Sequence, residues 1–147
     1  MMKEKHNLNF SFSGLKTALM YKVKDLTNKE LLTDKTKADL AVAYEKAIVD
    51  SLVQKTELAV NLTGIQSVVI AGGVGANKKL RNSMRQKLAE KDVKVSYPSI
   101  EFCTDNAAMI ALTGLFNYQK GMQNIDYKIE VNPRWPIDKI EPTISRH

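Results

Sequence analysis

The apolar positions of the chain fall into segments of two periods. Phe10 and Phe12 alternate with Ser11 and Ser13, the period of a strand, and Gly14 is expected to break it. From Leu15 the apolar residues Leu15, Ala18, Leu19, Val23 and Leu26 recur at helical spacing, so a helix follows. The longest helix is predicted from Thr36 to about Leu62, with Leu40, Tyr44, Ala47, Ile48, Ser51, Leu52, Leu58, Ala59 and Leu62 along its stripe. Gly64 should end it, because glycine takes the left-handed C-terminal conformation at little cost. "SVVIA", a β-branched run from Ser67, reads as a buried strand, and "KKLRNSMRQKLAEK", Lys78 to Lys91, as a helix. "VKVSYP" gives a second strand ended by Pro98. A more apolar helix follows in "TDNAAMIALTGLFNYQKG", with Thr104 or Asp105 as its cap and Gly121 after its end. The tail "YKIEVNPRWPIDKIEP" is predicted to hold a short strand and then extended, proline-restricted chain, anchored by Trp135.

Strands alternating with helices imply an α/β fold, a mainly parallel or mixed sheet covered by helices, and the absence of repeats or linkers favours one domain. With 147 residues and 44% hydrophobic content, the chain is long and apolar enough to build a core. No run approaches the roughly 20 residues that span a bilayer, and "MMKEKHNLNF" lacks a secretory signal, so a cytoplasmic protein with no membrane partner is expected. The single cysteine, Cys103, excludes an internal disulfide and suits a small buried apolar role. A net charge of +6 is compatible with an RNA or nucleotide partner without requiring one. The cations Lys78, Lys79, Arg81, Arg85, Lys87 and Lys91 spread around their helix and read as a solvated face.

Two segments carry candidate chemistry. In "VVIAGGVGANKKL" a strand meets a helix through Gly72, Gly73 and Gly75, where backbone amides and the helix dipole favour a negative group. The segment matches neither the P-loop nor the G-x-G-x-x-G fingerprint, since Lys78 occupies the last glycine position. A phosphate seat and a tight turn capped by Asn77 both remain open. In "EFCTDNAAMIA", Asp105 stands at a strand-to-helix junction, where a carboxylate can hold a metal or cap the helix. The only histidines, His6 and His147, sit near the two ends and form no spaced ligand pair. No Ser-His-Asp, Cys-His or H-E-x-x-H arrangement can be assembled.

Taken in order, "FSFSGLKTA" (Phe10 to Ala18), "AGGVGANKKLR" (Ala71 to Arg81), "FCTDNAAMIA" (Phe102 to Ala111) and "PRWP" (Pro133 to Pro136) closely resemble the carboxyl-terminal half of the TsaD family. These are tRNA adenosine threonylcarbamoyltransferases, once labelled glycoproteases, and Lys16 looks like their bacterial and organellar branch. The resemblance implies one lobe of an actin-like ATPase fold and transfer of a threonylcarbamoyl group from its adenylate to the adenosine beside the tRNA anticodon. Carried over by position, it implies that Asn77 contacts threonylcarbamoyl-adenylate beside the Gly72 and Gly73 backbone. Asp105 would be the carboxylate ligand of one divalent metal, iron or zinc. The family's H-x-x-x-H metal pair belongs to the amino-terminal half, which these residues do not include. One carboxylate falls short of the roughly three protein ligands of a catalytic site, so this chain alone is expected to be inactive and not to retain the metal. TsaB-type and TsaE-type partners are expected for a full-length protein, and a homodimer for an isolated lobe whose interface is uncovered. The alternative is a truncated, non-catalytic homologue acting as a binding or regulatory module.

Overall fold

Helix formation in the middle of the chain begins at a threonine cap. The computed structural model describes residues 7–122 and Pro133. In it the Thr33 hydroxyl accepts the Thr36 N–H at 3.2 Å, and α2 runs from Asp34–Thr63. Its end is the expected one, with Gly64 at φ 69° and its N–H returned to the Val60 carbonyl. Before it, α1 spans Ser13–Asn28 and turns the half-buried Leu15, Leu19, Val23 and Leu26 out of the solvent as it packs on α2. The expected strand at Phe10–Ser13 does not form. Residues 7–12 are irregular, and Gly14 lies inside the first turn of α1 instead of breaking a strand. The two phenylalanine rings stack at 6.0 Å, on one side as the alternation implied, but among the described residues no neighbouring strand takes up that segment's backbone groups.

Beyond Gly64 the chain makes a parallel β-α-β unit. Strand β1 (Ser67–Val69) pairs with β2 (Lys94–Ser96) in the register Ser67 to Lys94, Val68 to Val95 and Val69 to Ser96, and α3 (Lys78–Ala89) connects them. The α/β class is as expected. Among the described residues the sheet has two strands and is parallel, the first of the two expected arrangements. Strand β1 is also not buried on both faces: Val68 is half-buried against the core while Val69 is 71% exposed.

The core lies where α2 and α3 meet the sheet. Val49, Val53 and Val60 of α2 close on Leu80, Met84 and Leu88 of α3 and on Val93, with Leu52, Val68, Ile70 and Val95 at its margin. Leu80, Met84 and Leu88 repeat every fourth residue, so one α3 row is buried throughout. On α2 the buried residues are Val49, Ser51, Val53 and Val60, of which Ser51 belongs to the expected stripe; Ile48 and Leu52 of that stripe line a cavity, and Leu62 is exposed. The reason is that α2 has two neighbours, α1 and α3, and so covers more than one stripe. Ion pairs fix the mutual register of α2 and α3. Glu45 meets Lys79 at 3.3 Å, while Glu57, three turns on, meets Lys87 at 3.6 Å and Lys91 at 3.4 Å. The two helices therefore run in the same direction.

By its internal contacts the chain divides into two compact units, Met1–Thr104 and Asp105–His147. The first holds α1 through β2 and a 3-10 turn at Ile100–Phe102. The second opens with α4, Ala107–Gln119, whose cap is neither Thr104 nor Asp105 but Asn106, its Oδ1 accepting the Met109 N–H at 3.0 Å. A cap must reach the N–H three residues on, and the first helical residue is Ala107, one position later than expected. Gly121 follows the helix at φ 72°, as expected. The predicted tail strand, Trp135 and both histidines lie outside the described residues.

Candidate functional site: the glycine turn and its supports

After Ile70 the chain leaves β1 and turns sharply at Gly72, whose φ of 84° and ψ of 174° belong to a region open essentially to glycine alone. A 3-10 turn, Gly73–Ala76, follows and is closed by the Gly75 N–H on the Gly72 carbonyl at 2.8 Å. A Cβ added at Gly72 or Gly73 would meet nothing within 4 Å, so the outer side of the turn is open. Its inner side is different. Val74, Gly75 and Leu80 line an apolar cavity of about 310 Å³ together with Phe12, Ile48 and Ile70. The structure thus brings the first and second sequence blocks together, through Phe12.

Asn77 ends the turn and starts α3. Its Oδ1 accepts the Leu80 N–H at 2.8 Å, which is the capping role, and its Nδ2 donates to Glu45 Oε1 at 2.8 Å. An amide has two donor hydrogens and two acceptor lone pairs, so these two bonds use one of each. The hydrogen bond from Asn77, then that from the Lys79 ammonium, hold the Glu45 carboxyl below its ordinary range. Glu45 thereby fixes the amide's orientation. It was not among the sequence candidates, although its position four residues before Val49 places it on the row of α2 that faces α3.

Arg81 also departs from the solvated face expected of it. It is half-buried and aims its guanidinium at the carbonyls of Gly75 and Pro98 and at the sulfur of Cys103. Lys79 and Lys87 of α3, and Lys91 just after it, are engaged by carboxylates of α2, so the cations of this segment are in good part inter-element contacts. The reason is that α2 presents Glu45 and Glu57 on the face that α3 covers, a fact of pairing that α3's own sequence does not contain. Cys103 is buried, as expected, and lies 3.5 Å from the Ser99 carbonyl.

Asp105 opens the second unit as an exposed residue just before the α4 cap. Among the described residues no group of three or more His, Cys, Asp or Glu side chains could hold a metal ion, so they do not assemble a metal centre on their own. No helix among the described residues is long and apolar enough to cross a membrane.

The comparison with known proteins decides the family. The sequence model of "TsaD: tRNA N6-adenosine threonylcarbamoyltransferase" matches residues 1–112, which include Phe12, the whole glycine turn, Asn77, Arg81 and Asp105. The chain belongs to this family. It is 49% identical over 136 residues to the tRNA N6-adenosine threonylcarbamoyltransferase of Acidovorax sp. (strain JS42), covering 91% of this chain and 38% of that protein. The family member of the same name from Herminiimonas arsenicoxydans is 47% identical over 141 residues, 95% of this chain and 41% of its own length. That from Nitrosomonas europaea is 42% identical over 145 residues, with the same shares. The chain spans about two-fifths of the length of these relatives. The family match takes in the glycine turn, with its open outer side at Gly72 and Gly73.

Proposed function

We propose that this chain is the carboxyl-terminal part of a tRNA-modifying transferase, one lobe of an actin-like fold, and that its glycine turn receives threonylcarbamoyl-adenylate. The observation that carries the reading is the turn itself: Gly72 in a glycine-only conformation, an open outer side, and Asn77 held between the Leu80 N–H and Glu45, all inside the family match. In the reaction the adenosine amine attacks the carbamoyl carbon, the bond from that carbon to the phosphate oxygen breaks, AMP leaves with the bonding pair, and the nitrogen gives up a proton. The turn and Asn77 contribute by seating the adenylate so that the carbonyl faces the amine, which is catalysis by orientation.

Asp105 is this chain's contribution to the divalent metal, iron or zinc, of the complete protein; when bound, that ion supplies Lewis-acid chemistry. The tRNA and the TsaB-type and TsaE-type partners belong to the same full-length reading, and the chain by itself is inactive. The test is made in a full-length protein containing this chain, with modified adenosine in tRNA measured by mass spectrometry. Gly72→Val is expected to lower kcat/KM by about 100-fold, the order that misplacing a bound reactant costs. Full activity in Gly72→Val would remove the glycine turn from the site, and full activity in Asn77→Ala would remove Asn77 from it. A native protein no longer than this chain, with tRNA bound but not modified, would favour the binding-module alternative.

A further inference from the structure

The glycine turn is fastened to the rest of its unit by Arg81. The Arg81 Nε–H donates to the Gly75 carbonyl at 2.5 Å, and one terminal nitrogen donates to the Pro98 carbonyl at 2.8 Å and to Cys103 Sγ at 3.1 Å. The guanidinium lies 4.9 Å from the centroid of the Tyr97 ring, and the Tyr97 hydroxyl donates back to the Arg81 carbonyl at 2.8 Å. Burial pushes the Tyr97 phenol up, against the pull of the Arg85 and Arg81 cations.

One planar group thus ties together the end of the glycine turn, the loop after β2 and the 3-10 turn that ends at Phe102. Gly75 is the residue whose N–H closes the turn on Gly72. A charge-assisted bond to its carbonyl therefore holds the far side of the same peptide network that shapes the open face. Lysine could not repeat this, because a point charge with three rotating donors cannot meet two carbonyls and a ring face in fixed directions.

We propose that Arg81 is a positioning residue for the adenylate: it sets the shape of the glycine turn by clamping Gly75 to the Pro98–Cys103 segment. The proposal rests on the reading that the turn seats the adenylate. It is tested in the full-length protein by comparing Arg81→Lys, Tyr97→Phe and Gly72→Val for tRNA modification across adenylate concentrations, with thermal unfolding of each.

Arg81→Lys is expected to raise the KM for threonylcarbamoyl-adenylate about tenfold, the order of one charge-assisted bond. Its kcat should stay within about threefold, because the reacting groups are untouched. A KM unchanged in Arg81→Lys while Gly72→Val loses kcat/KM would overturn the role of Arg81 alone. A lowered unfolding temperature with unchanged KM would overturn it too, as a purely structural effect. Full kcat/KM in Gly72→Val would instead overturn the seating of the adenylate, and the role of Arg81 with it. Should Arg81→Lys not fold, Tyr97→Phe decides: a raised adenylate KM supports the clamp and an unchanged one overturns it.

Discussion

Helices α3 and α4 are nearly equal in length, and each begins at an asparagine whose side-chain oxygen accepts the N–H three residues on. They differ in where their apolar groups go. Helix α3 is rich in cations, yet Leu80, Met84 and Leu88 form one row that is almost wholly buried. Helix α4 is apolar over most of its circumference and buries none of its residues; Ile110 is 67% exposed, and Leu112, Leu115 and Phe116 are exposed as well. A helix so widely apolar is built for contact on several sides. The lesson is that composition reports how much surface a helix is able to bury, whereas periodicity reports how that surface is shared between a buried row and an exposed face.

The largest effect should separate the two helices directly. Leu88→Ala in α3 is expected to destabilise the chain by about 2–5 kcal/mol, measured by urea unfolding, because Leu88 is fully buried and leaves a cavity. Ile110→Ser in α4 should cost about 0.5 kcal/mol or less in the same measurement, as for exposed positions generally. It should also reduce any self-association of the isolated chain seen by light scattering, since uncovered apolar faces drive association. Equal losses from the two substitutions would break the comparison.

Next in size are the caps. Asn77→Ala and Asn106→Ala should each cost about 1 kcal/mol through the lost N-cap. Asn77→Ala should cost the more, because it also strips Glu45 of its amide partner, and Asn77→Asp should not restore stability, because it sets a second carboxylate against Glu45. Thermal unfolding of the three variants checks the ranking.

The smallest effect is the pH dependence of that pair. The Glu45 carboxyl is held below its ordinary range in the folded chain, so its contribution is fully present above the unfolded carboxylate pKa and is lost as pH falls through the depressed folded value. Glu45→Gln should therefore flatten the acid side of a stability profile and leave the profile near neutrality with the same slope. An unaltered acid limb would show that the pair does not couple to folding.

What could be read in the chain beforehand divides along a physical line. Gly64, Asn77 and Gly121 were legible because a helix terminus is settled by the few residues at it. The alternation at Phe10–Ser13 misled because a strand satisfies its backbone only through a neighbour, whereas a helix starting at Ser13 satisfies its own. Asn77, Gly72 and Gly73 were found as a turn, and the family match places the same segment within a known enzyme class. Glu45 and Arg81, which hold that turn, were not found. Their partners lie 32 residues away for Glu45 and 22 for the more distant of those of Arg81, and no local pattern in either helix names them.

Gly72 has a consequence for how the segment tolerates change. An added side chain there would meet empty space, but the backbone at φ 84° penalises any Cβ. The penalty is thus set at the first carbon and gains little from the rest of the side chain. For folding of the chain, tolerance at this position should be nearly independent of side-chain volume, with alanine almost as poorly accepted as tryptophan. Gly73, equally open and with no such φ, is free to vary on grounds of shape alone.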